Sequence, residues 1–286
     1  MENRLDTFKA TIQEITDYGH ITALLGWDMQ VNMPAGGAED RSDQISTMER
    51  LMHMKITAPE SVQLMGEMRE YAKTIDPDSD DARLIKVTLR EFDKLTKVPN
   101  RWVAEFSKET SQAHMVWEKA KRASDFSIFQ PSLERIVALR REYASFFAPY
   151  EHVYDPLLDG FEPGLKTAEV QAIFNALRPQ QVALISAIGQ KRQVDDSFLT
   201  RPYDEQAQWN FGVEVVSKFG YDWDRGRQDK AMHPFTTSFG LGDVRITTRF
   251  DPTHGASALF STMHEGGHAL YEQGPDRKFR RTPLAN

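Results

Sequence analysis

The chain has 286 residues, with 35 Lys plus Arg against 42 Asp plus Glu, a formal charge of −7. That balance offers no basic stripe for nucleic acid, and a hydrophobic share of 40% is too high for a disordered chain. With no cysteine, disulfides, thiolate zinc sites and cysteine nucleophiles are excluded, and any metal must be held by carboxylates and the 8 His.

The start, Met1-Glu2-Asn3-Arg4-Leu5, has neither a basic nor an apolar leader region, and no apolar run is long enough to span a membrane. A cytoplasmic chain without membrane or nucleic-acid partners is therefore expected. Leu5, Phe8, Ile12 and Ile15 recur at helical spacing, and the pattern continues through Gly19 to Trp27. Met33-Pro34-Ala35-Gly36-Gly37 breaks it. Further helices are expected around Ile45 to Met52, Val62 to Met68 and Leu84 to Leu95. Asp76 to Asp81 reads as a solvated turn. Pro99 and Pro131 open two more helices, the second with Leu133, Ile136, Val137 and Tyr143 on its core side. A Pro-, Gly- and Asp-rich loop, Tyr154 to Gly164, precedes a helix capped by Thr167. Another helix, Asp204 to Phe219, stops at Gly220. The period then changes: Phe235 to Phe239 and Val244 to Phe250, separated by Gly240-Leu241-Gly242, read as a β-hairpin. A last helix starts near Thr253 and ends at Gly274-Pro275. Without an internal repeat or flexible linker, residues 1–286 are expected to form a single helical domain.

The chemistry concentrates in His264-Glu265-Gly266-Gly267-His268, an HExxH on that last helix. Residues four apart share one face, so both imidazoles can reach one metal ion, with Glu265 beside them as a base for water. The alternative is two hydrogen-bonded histidines on an ordinary helix. Two glycines inside a helix cost about 1 kcal/mol each relative to alanine, which hints at close approach by another backbone or a substrate. Upstream, Asp243, Arg245, Thr247 and Arg249 alternate along one strand. Asp243 and Arg245 are expected to pair with each other; alternatively Arg245 or Arg249 meets a substrate carboxylate. His233, in His233-Pro234-Phe235, is a further candidate substrate contact.

Taken together, these motifs resemble the carboxypeptidase Taq family of zinc metallocarboxypeptidases. The resemblance rests on Leu24-Leu25-Gly26-Trp27-Asp28, Met33 to Ala38 with Arg41, Tyr154 to Asp159 with Glu162-Pro163-Gly164, and Arg225-Gly226-Arg227. It continues through His233-Pro234-Phe235, Asp243 to Arg249 and His264 to Gly274. It implies a mainly α, zincin-like multi-helix fold, with a small antiparallel β-hairpin or sheet beside the HExxH helix. It also implies release of single residues from peptide C-termini by metal-activated water. In that reading His264 and His268 are metal ligands, Glu265 is the catalytic base, zinc is the cofactor with cobalt as a substitute, and the assembly is a homodimer. The family's third ligand is a Glu in a separate, later motif that does not occur here. The chain therefore resembles little more than the family's N-terminal half and is expected to be C-terminally truncated, with weakened zinc binding and uncovered apolar surface. Glu272, one turn past His268, is expected to support an imidazole rather than to ligate. Two other readings stay open: an oligopeptidase or endopeptidase on a related HExxH scaffold, and an inactive helical fragment.

Overall fold

The structure is a computed structural model that describes residues 2–285. The expected first helix runs unbroken through Gly19 as α1 (Glu2–Val31). It is followed by α2 (Ala38–Thr57), α3 (Pro59–Tyr71) and α4 (Asp80–Leu95). Leu5, Phe8 and Ile12 of α1 lie on one face and are buried with Met65 and Met68 of α3 and Ile85 of α4. Their spacing of three and four is what lets one stripe of α1 fill that core. Ser79 caps α4 by accepting from the Ala82 N–H, so the Asp-rich stretch is a turn only as far as Ser79, and Asp80 and Asp81 form the first turn of the helix.

Helices α5 (Asn100–Ala123) and α6 (Gln130–Ser145) meet around Trp102, which stacks on Phe106 and donates its indole N–H to the Leu139 carbonyl. Of the expected core face of α6, Tyr143 packs on Trp102 and Ile136 is half-buried, but the other two positions are corrected. Leu133 and Val137 are exposed, whereas Leu139 and Ala144 are buried. The helix is anchored through its second half, where Trp102 supplies the packing surface. The loop after α6 contains the short α7 (Asp155–Leu158). Thr167 is not the cap of the next helix, α8 (Thr167–Gly189), but its first residue. Its N–H and hydroxyl both donate to Asp155, and its neighbour Lys166 donates its N–H to Glu169. The loop thus caps α8 from outside.

Helix α8 buries none of its residues. Phe174, Leu177, Leu184, Ile185 and Ile188 form an apolar stripe at helical spacing, and Ile185 is 68% exposed. An open stripe of this size favours association. The chain is expected to self-associate with rising concentration, and Leu184→Glu with Ile185→Glu should raise the monomer fraction in sedimentation velocity. An unchanged distribution would place the association elsewhere.

The remaining elements carry the HExxH segment. They are α9 (Glu205–Phe219), β1 (Gln228–Lys230), β2 (Thr236–Ser238), β3 (Val244–Thr248) and α10 (Gly255–Gln273). Helix α9 ends at Gly220, whose φ of +97° is the left-handed conformation that glycine adopts freely. The expected hairpin is present as β2 and β3, antiparallel from Thr236 opposite Ile246 to Ser238 opposite Val244. The sheet is larger and mixed, however. β1 pairs in parallel with the other edge of β3, giving the order β1-β3-β2. Gln228-Asp229-Lys230 has no apolar alternation to announce a strand; it is recruited by the open edge of β3. Helix α10 packs on this sheet and on α9, with Ala269 buried against Val216, Val244 and Ile246. No described helix is long and apolar enough to cross a membrane.

Candidate metal centre

Seen from the end of α10, the two glycines of the HExxH segment have different surroundings. A Cβ on Gly266 would stand 3.0 Å from a Val216 methyl of α9, while one on Gly267 would meet nothing within 4 Å. Gly266 therefore permits close helix–helix contact, and Gly267 lies on the open face. On that face His264 and His268 are exposed, whereas Glu265 is turned inward and only 5% exposed.

The imidazoles converge. Their rings are perpendicular with centroids 4.8 Å apart, and the two Nε2 atoms are separated by 3.2 Å. Two nitrogens at roughly 2.0–2.1 Å from one tetrahedral ion stand ~3.3 Å apart. The pair thus fits two ligands of a single metal ion. Among the described residues no three His, Asp or Glu side chains come together as a ligand set. Glu272 lines the same cleft as His268 without completing such a set. Burial holds its carboxyl above the ordinary range, opposed by the field of His268.

Glu265 is held from β2. The Thr236 hydroxyl lies 2.7 Å from Glu265 Oε2 and 2.9 Å from the Glu265 carbonyl oxygen, donating to this pair. Carboxylate and imidazole face one cleft of about 550 Å3, lined by Phe235, Thr236, Thr237, Ser238, Glu265, His268 and Glu272. Because Phe235 accepts from the Thr247 N–H and Phe239 donates to Asp243, alternation directs the main-chain groups of Thr236 and Ser238 away from β3. They form the free edge of the sheet beside this cleft. Thr236 was not legible as a site residue, since Phe235-Thr236-Thr237-Ser238 alternates without saying which face meets α10.

The upstream candidates lie elsewhere. Arg245 forms a two-pronged pair with Asp243 at 2.8 and 2.7 Å, and its guanidinium lies 4.3 Å from the centre of the Trp27 ring and 4.8 Å from that of Phe239. The pairing expected of Asp243 and Arg245 is what forms, and it leaves Arg245 no free fork for a substrate carboxylate. His233 sits edge-on to Trp117, with ring centroids 6.5 Å apart. Arg249 lines a second cavity with Met232 and Lys230. Thr247 ties two motifs together, accepting from the Phe235 N–H at 2.8 Å and donating to the Phe235 carbonyl at 3.0 Å. Arg41 joins α1 to α2 through Asp28 at 2.7 Å and the Leu25 carbonyl at 2.9 Å. Arg225 reaches the carbonyl of Gln273 at 3.0 Å, pinning the end of α10.

The carboxypeptidase Taq (M32) metallopeptidase family model matches residues 7–286. The chain belongs to this family. It is 36% identical over 271 residues to thermostable carboxypeptidase 1 of Thermus thermophilus, covering 91% of this chain and 53% of that protein. It superposes on the crystal structure of BsuCP with a TM-score of 0.95 at 30% identity, over 99% of this chain and 57% of that one. The M32 carboxypeptidase of Deinococcus radiodurans gives a TM-score of 0.84 at 37% identity, over 99% and 56%. The chain thus spans a little over half the length of its M32 relatives. Membership agrees with the family resemblance of the motifs and with a mainly α fold carrying a small sheet.

Proposed function

We propose that this protein is a metal-dependent carboxypeptidase that releases single residues from peptide C-termini, with His264 and His268 holding the ion and Glu265 as base. The observation that carries this reading is the pair of Nε2 atoms at 3.2 Å beside a buried carboxylate that Thr236 orients. Zinc suits a neutral imidazole pair, and cobalt is its substitute in the same reading. When bound, the ion supplies a Lewis acid that acidifies water and polarises a carbonyl.

The chain's own residues divide the remaining work. Thr236 occupies Oε2 of Glu265, so Oε1 is the oxygen left to take a proton from the attacking water and return it to the leaving nitrogen. The burial of Glu265 keeps bulk water from competing for that proton. An extended peptide laid along β2 finds the outward N–H and C=O groups of Thr236 and Ser238 as a ladder. This orients its main chain in the cleft without reading its side chains. Peptides with a free C-terminus are the substrates in this reading, and a cytoplasmic homodimer is the form in which it acts.

With two imidazoles and no third ligand among the described residues, zinc affinity should be lower than at a complete site. Zinc per chain after gel filtration is expected to be substoichiometric and to recover in excess zinc. His268→Ala should weaken binding by more than about tenfold. Uptake unaffected by this change would place the metal elsewhere. Product analysis separates the proposed activity from internal cleavage: single C-terminal residues support it, and internal fragments as the first products overturn it.

A further inference from the structure

A second cavity of about 480 Å3 lies at the other end of the segment that forms the cleft wall. Lys230 and Met232 line it, whereas Phe235 to Ser238 line the HExxH cleft. Met232 and Phe235 are three residues apart, so at most ~10 Å of backbone separates the two linings. That is the reach of about three residues of extended peptide.

The cavity's lining has a definite chemistry. Met29, Met33, Met115 and Met232 give it a soft apolar wall that adapts to a flexible aliphatic chain. Three cations also line it, and two are already matched: Arg122 pairs with Glu118 at 2.8 Å, and Lys230 pairs with Glu205. Arg249 is exposed and forms no ion pair within 4 Å among the described residues, although its charge lies near enough to Asp251 to help hold that carboxyl below its ordinary range. The wall therefore takes an aliphatic stem, and the cation that remains takes a negative charge at its tip.

The geometry points to this cavity as an upstream substrate subsite that receives a glutamate-like side chain about three residues before the cleaved bond, with Arg249 meeting its carboxylate. This inference rests on the carboxypeptidase reading and adds a preference to it. Glutamate matches both parts of the lining, since two methylenes lie on the thioethers while the carboxylate reaches the guanidinium.

Binding to the metal-free full chain tests this without any need for turnover. Three pentapeptides differ only at the fourth residue from the C-terminus, carrying Glu, Gln or Lys, and their affinities are measured by calorimetry at low salt. Glu is expected to bind about fivefold tighter than its isostere Gln, the range of one partly exposed charge pair, and Lys weaker than both. Arg249→Ala should bring Glu and Gln together, and Arg249→Glu should invert the order in favour of Lys. Met115→Ala should weaken Glu and Gln peptides alike, because it removes stem contact and leaves the charge. A Glu–Gln difference that survives Arg249→Ala overturns the inference, as does an equal loss for all three peptides in Arg249→Glu. If the metal-loaded chain hydrolyses the three peptides without distinction, the subsite fails and the carboxypeptidase reading stands. If no peptide is bound or hydrolysed, both fall.

Discussion

Glu265→Gln is expected to lower release of C-terminal residues by roughly 10²–10⁴-fold, the range attributable to one positioned acid–base group, while metal uptake stays as in the parent. The amide keeps the shape of the carboxylate and its place under Thr236, whose hydroxyl now stands 2.7 Å from Oε2. It cannot accept a proton from water at the other oxygen. Since Glu265 is only 5% exposed, solvent cannot readily replace it as the base. The outcome should appear in kcat more than in KM, because the carboxylate acts on the reacting water rather than on the resting peptide. Hydrolysis that persists at the parent rate with metal bound would remove Glu265 from the reaction. A binding or interaction role for the chain would tolerate the change in the same way.

The second large effect concerns the sheet that carries the cleft. Gly226→Ala is expected to destabilise the fold by about 2–5 kcal/mol, measured by urea unfolding. A Cβ at this position would overlap the Tyr221 hydroxyl and the Val244 carbonyl oxygen. These two groups are hydrogen-bonded to each other at 2.6 Å in a buried setting. Neither can retreat cheaply. Val244 is the first residue of β3, and Tyr221 belongs to the cluster that seats α10 through Val216, Ile246 and Ala269. The backbone itself is extended at Gly226, with φ −174°, so the cost is overlap and not conformation. Gly267→Ala is the matched control. A Cβ there meets nothing within 4 Å, and an interior helix position gains up to ~1 kcal/mol on going from glycine to alanine. A loss at Gly267 as large as that at Gly226 would show that the open space beside α10 is filled in solution.

Much of this chain could be read before its fold was known, because the relevant physics is local. The spacing of Leu5, Phe8 and Ile12 determined a helix face, and Gly220 and the pair Gly274-Pro275 marked helix ends, since backbone preferences act over a few residues. His264 and His268 were legible for the same reason. A four-residue step on a helix brings two side chains together whatever surrounds them, and their Nε2 atoms do meet at 3.2 Å. The change of period around residues 235–250 likewise announced β2 and β3.

Tertiary structure decided what depends on partners distant in sequence. β1 is a strand only because β3 has a free edge to offer it. Gly266 and Gly267 are adjacent in the chain, yet only one touches α9. Arg245 and Arg249 share a strand pattern, but Asp243, Trp27 and Phe239 occupy the first while the second opens into another cavity. Thr236 became the residue that orients Glu265 because sheet register sets it against α10. Local spacing names which groups can reach a common point. Which groups are already satisfied, and which remain free for a ligand, depends on packing between segments far apart in the chain.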